Sequence, residues 1–134
     1  MDESMNPAES VQADDKLNAW IKQALDAAVQ QLLARGLSDS VVVEAKPAWV
    51  MPYVLLIGRF RDHGRQTGFD WFICGDAPLS QVSSKVAATP REAARHFALQ
   101  WQLDAARAGA AGAELAKKAE ALYELVQQDA LWLH

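Results

Sequence analysis

Two stretches of this chain are apolar at both odd and even positions. In the run 50–60, Leu55 and Ile57 alternate with Val54 and Leu56; in the run 69–74, Trp71 and Ile73 alternate with Phe72 and Cys74. A strand that is greasy on both sides needs cover on both sides, from helices or from a partner chain. Between the two runs lies the turn-like segment Asp62-His63-Gly64-Arg65-Gln66-Thr67-Gly68, so they read as a hairpin. A short strand at 41–43 comes before them and is expected to break near Lys46-Pro47. Pro52 cannot donate to a sheet ladder, which favours a strand start or an edge at that point. The stretch 80–88 is polar and reads as a loop or a short fourth strand.

Helical patterns flank this middle third. Leu17, Ile21, Ala24 or Leu25, Ala28 and Leu32 recur at the spacing of one helical face, giving a helix over about 14–35 that ends before Gly36. Trp20 lies beside that stripe and widens it. Thr89-Pro90-Arg91-Glu92 has a capping threonine, a proline suited to the first turn and a glutamate that completes a capping box. The second helix runs from there through Phe97 and Trp101 to about Arg107. Gly109 and Gly112 mark a bend, and Leu115, Ala119, Leu122 and Val126 line one face of a third helix. The apolar ending Ala130-Leu131-Trp132-Leu133 is expected to dock on the rest of the chain. The order α-β-β-β-(β)-α-α makes an α+β fold: an antiparallel sheet of three to four strands packed by an N-terminal helix and two C-terminal helices. Residues 1–13 read as a flexible acidic segment ahead of a single domain at 14–134.

Composition narrows function by exclusion. The 134 residues carry 13 Lys and Arg against 17 Asp and Glu, a net charge of −4, which argues against nucleic acid. Cys74 is the single cysteine, so an internal disulfide and a cysteine-rich zinc module are ruled out. The opening residues lack the basic-then-apolar order of a signal peptide, and no apolar run approaches the ~20 residues of a membrane-spanning helix. A cytoplasmic location, away from membranes, is therefore expected.

Three segments together resemble a bacterial family. They are Pro47-Ala48-Trp49-Val50-Met51-Pro52-Tyr53-Val54, then Trp71-Phe72-Ile73-Cys74-Gly75-Asp76-Ala77-Pro78, then Thr89-Pro90-Arg91-Glu92-Ala93 leading to His96-Phe97 and Trp101-Gln102. The family is the domain of unknown function 4826, and the resemblance covers roughly residues 20–103. It implies a small bacterial cytoplasmic protein and supplies no catalytic residues. The third helix and the acidic lead-in fall outside it.

Cys74-Gly75-Asp76 is the sharpest candidate for chemistry. A thiol at a strand exit can act as a nucleophile if it is exposed, has a lowered pKa and meets an imidazole such as His96. The plainer reading makes Cys74 a small buried hydrophobe and Gly75-Asp76 a turn. His63, His96, His134, Cys74, Asp70 and Asp76 show no metal-ligand spacing, so no metal is expected. No phosphate loop, Gly-x-Gly-x-x-Gly or Gly-x-Ser-x-Gly occurs, so no cofactor is expected either.

The hairpin offers a surface instead. Tyr53, Leu55, Ile57, Arg59 and Arg61 share one parity and hence one face, with Arg65 in the loop beyond. If Asp62 and Thr67 close the loop, Arg59 lies opposite Asp70 as a cross-strand ion pair. These charges either solvate a strand end or form a basic, aromatic-flanked knob for an acidic protein or a small anion. The chain has five tryptophans, Trp20, Trp49, Trp71, Trp101 and Trp132. Trp49, bracketed by Pro47 and Pro52, is the one expected to be partly exposed. The first expectation is a non-catalytic protein-binding module, immunity- or adaptor-like, that uses Trp49, Tyr53, Arg59, Arg61 and Arg65. The alternative is a small enzyme or ligand-binding domain that uses Cys74, Asp76 and His96. A homodimer is a further assembly the sequence allows.

Overall fold

The β-branched and aromatic runs pair into one antiparallel sheet, seen in a computed structural model that describes residues 7–35, 43–62 and 68–133. Its strands are β1 (Val43–Met51), β2 (Leu55–Asp62), β3 (Asp70–Gly75) and β4 (Ser80–Ser83), and they lie in chain order across the sheet. The helices are α1 (Pro7–Ala34), α2 (Pro90–Ala108) and α3 (Ala113–Val126). A 3-10 turn joins α2 to α3, and another at Asp129–Trp132 follows α3. Gly36, Val41, Val42, His63, Arg65, Thr67 and His134 lie outside the described residues.

Both faces of the sheet are covered by the chain's own helices, as the two-sided strands require. Leu55, Ile57, Trp71, Ile73 and Val82 are buried against Ala94, Phe97 and Trp101 of α2 and Leu122 and Val126 of α3. Leu56, Phe60, Phe72 and Cys74 are buried on the other face with Ala28 and Leu32 of α1. Gly58 admits the Phe72 ring, because a Cβ there would come within 2.7 Å of both that ring and the Lys46 carbonyl oxygen. Thr89 caps α2 as its sequence predicts. Its side-chain oxygen accepts from the Glu92 amide at 3.1 Å, and the Glu92 carboxylate accepts from the Ala88 amide at 3.1 Å.

Several local features differ from expectation. Helix α1 begins at Pro7, ahead of the start expected at Asp14. Proline suits a first turn, and alanine, glutamate and glutamine carry a helix past the end of its apolar stripe. Strand β1 does not stop at Pro47. It passes through a bulge between Pro47 and Trp49, which puts Lys46 opposite Arg59 and Trp49 opposite Ile57 on one face. Pro52 starts no strand. It is the second residue of a turn in which the Val54 amide donates to the Met51 carbonyl at 3.0 Å. Tyr53, the third residue, therefore leaves the face of Leu55 and Ile57 and takes φ 64°. The hairpin register is also shifted: Arg59 faces Trp71, and Asp70 faces Phe60. The Arg59–Asp70 pair does not form in that register. The stretch after Pro78 contributes the short edge strand β4.

Candidate functional site: a cationic cleft at the end of the sheet

Beyond the last residues that the C-terminal helices cover, one end of the sheet is left half open. In the row Lys46–Arg59–Trp71–Val82, Trp71 and Val82 are buried, whereas Lys46 and Arg59 are exposed. A cleft of about 260 Å³ opens there, lined by Glu44, Lys46, Arg59, Arg61, Gly68 and Phe69 together with Phe60. Among the described residues, three cations thus face one carboxylate. Arg61 Nη2 pairs with Glu44 Oε1 at 3.0 Å across the strands. The Arg59 guanidinium lies 5.4 Å from the centroid of the Phe69 ring, a cation–π placement. Phe69 in turn meets Trp71 edge-on, centroids 4.9 Å apart at 82°. Lys46 is exposed and has no ion pair or hydrogen bond among the described residues.

The Lys46–Arg59 juxtaposition is the informative feature. Like charges directly opposite on neighbouring strands are destabilising, by an amount similar to the ~0.2–1 kcal/mol that opposite charges contribute. Among the described residues neither cation has a carboxylate partner, and an aromatic ring lies beneath Arg59. An anion entering the cleft relieves that repulsion.

Of the residues expected to bind, Arg59 and Arg61 line the cleft and Arg65 lies outside the described residues. Trp49 does not reach the surface. It is 5% exposed, stacks on Trp132 at 4.4 Å and 13°, and donates its indole N–H to the Leu131 carbonyl at 2.8 Å. The apolar C-terminus, docking as expected, is what covers it. Tyr53 lies before the first residue of β2, away from the cleft. Lys46, Glu44 and Phe69 were not anticipated. The signal for Lys46 was masked by Pro47, which reads as a strand break unless a bulge absorbs it.

The thiol candidates do not converge. Cys74 faces α1, where its Sγ lies 3.8 Å from the Ala24 carbonyl oxygen, and burial pushes its pKa up to about 11. A thiol so buried is far from the lowered pKa a nucleophile needs. Asp76 accepts from Lys118 Nζ of α3 at 3.0 Å. His96 is on α2, which packs on the face opposite Cys74, and its ring lies edge-on to Phe97 at 6.4 Å. Among the described residues no three or more His, Cys, Asp or Glu side chains group as metal ligands. No helix among them is long and apolar enough to cross a membrane.

Fold and cleft together define a small α+β domain with a helix-clad four-stranded sheet and a cationic notch at one end. The chain belongs to the family described as a domain of unknown function (DUF4826), whose model matches residues 14–132. No curated protein and no solved structure matches it.

Proposed function

We propose that the protein is a non-catalytic binding module of the bacterial cytoplasm, immunity- or adaptor-like, and that the cleft of Lys46, Arg59 and Arg61 receives an acidic segment of a protein partner. The observation that carries this is the unrelieved Lys46–Arg59 pair, with Arg59 seated over Phe69. A carboxylate side chain fits between the two cations, and an aromatic or apolar neighbour fits against the ring. Arginine and aromatic side chains are frequent interface anchors. Glu44 holds Arg61 in place and competes with the incoming anion.

The test is a titration with a blocked peptide of glutamate and phenylalanine residues. Arg59→Ala should weaken binding about tenfold, and added salt should weaken it for the wild type. Lys46→Thr should also weaken binding while leaving stability equal or raising it by up to ~1 kcal/mol, because a like-charge pair is removed. Binding unchanged by both substitutions would contradict the proposal.

A further inference from the structure

A second surface lies at the opposite end of β2, independent of the cationic cleft. Four of the five tryptophans donate their indole N–H inside the protein: Trp49 to Leu131, Trp71 to Ala87, Trp101 to Ser80 and Trp132 to Leu125. Trp20 has no acceptor among the described residues. Its ring lies 5.8 Å from that of Tyr53, inclined at 53°. Tyr53 is 55% exposed, and its hydroxyl also lacks a partner among the described residues.

The backbone beneath this ring pair is unusual. Tyr53 occupies the third position of a turn whose φ of 64° suits glycine or asparagine. Bulky residues avoid that region, and where they persist in it the position often serves binding. The turn is fastened from below. The Asp76 amide donates to the Val54 carbonyl at 2.7 Å, and Gly75, at φ 101°, leaves no room for a Cβ beside that carbonyl. The tyrosine is thus held outward at a conformational cost that buries little of it.

Next to the ring pair runs a groove of about 390 Å³ between α1 and the exit of β3, lined by Trp20, Gln23, Ala24, Ala27, Gln31 and Gly75 among others. Among the described residues, none of its lining side chains is charged. A charged ligand finds no counter-charge there. A chain in polyproline II conformation has no internal hydrogen bonds, so its carbonyls are free to accept. The Trp20 indole and the Gln23 and Gln31 amides are donors of the matching kind, and proline rings pack on aromatic faces. We infer that Trp20 and Tyr53 form a docking site for an uncharged, proline-containing extended segment of another protein, laid along the α1 groove.

Titration of blocked decaproline into the isotope-labelled full chain tests this by NMR. The Trp20 indole N–H resonance should shift and saturate, whereas a blocked Gly-Ser peptide of equal length should leave it in place. Tyr53→Ala should weaken binding about tenfold, and so should Trp20→Ala, followed there by the side-chain amide resonances of Gln23 and Gln31. Arg59→Ala, in the other cleft, should not change it, so the two surfaces are judged separately. Tyr53→Gly and Tyr53→Asn accept the left-handed turn and should fold at least as stably as the wild type, yet bind as weakly as Tyr53→Ala. No shift at millimolar peptide, or wild-type affinity in Tyr53→Gly, would overturn the inference. So would a Trp20 resonance that moves with protein concentration alone, which would make the surface a contact between two copies.

Discussion

The thiol of Cys74 lies between Ala24 and the sheet, and its environment decides both its reactivity and its effect on stability. Burial favours the neutral form, lifting the pKa from 9.0 to about 11. In the unfolded chain the thiol ionises near its ordinary value, so above pH 9 the unfolded state has lost a proton that the folded state keeps. Stability from this group is therefore intact below pH 9 and falls as pH rises toward 11. Denaturant unfolding of wild type and Cys74→Ala through that window should show the wild type losing stability more steeply. Native Cys74 should also resist alkylation until the protein unfolds. Parallel pH slopes, or fast native alkylation, would mean an open thiol. A cysteine at a strand exit reads as a nucleophile or, more plainly, as a buried filler; its burial, on the sheet face opposite the helix of His96, fits the plainer reading.

Elements were more legible than the joints between them. The cap at Thr89, the apolar stripe of α1 and the two-sided strands are local patterns, and each formed the element its pattern predicts. The joints depend on turn length, which apolar periodicity does not encode. A one-residue change of register moved Asp70 from Arg59 to Phe60, onto the α1 face. The bulge at Pro47 likewise kept Lys46 and Trp49 on one face despite their odd separation, hiding half of the cleft from a parity count. The α2–α3 joint shows how tight such points are. A Cβ at Gly112 would collide with the Ala105 carbonyl oxygen, whereas one at Gly109 meets nothing within 4 Å. Gly112→Ala should thus cost about 1–3 kcal/mol by denaturant unfolding. Gly109→Ala meets no neighbour, so its loss of about 1–3 kcal/mol comes from holding alanine at φ 63° and ψ −131°, backbone almost confined to glycine. A loss near zero for Gly112→Ala would point to a helix pair loose enough to move apart.

Taken as a whole, the molecule uses its length to bury a two-sided sheet and leaves few places for recognition. The helices on both faces absorb the apolar strands, and the C-terminal Trp132 closes over Trp49, removing the indole that looked most available. The layered architecture was readable because two-sided strands have few ways to be satisfied. The distribution of the tryptophans was not, since burial of each depends on segments far away in the chain, 82 residues in the case of Trp49 and Leu131. Exposed cations at the open end of the sheet and a strained tyrosine at the other are the surfaces we propose for partners. The decisive comparison is affinity capture from native lysate of the producing cells with three baits: wild type, Cys74→Ala and the Lys46→Ala/Arg59→Ala double variant. A partner held by wild type and Cys74→Ala, and lost about tenfold or more from the double variant, is the expected result. A partner that the double variant retains and Cys74→Ala loses would contradict recognition through the cationic cleft.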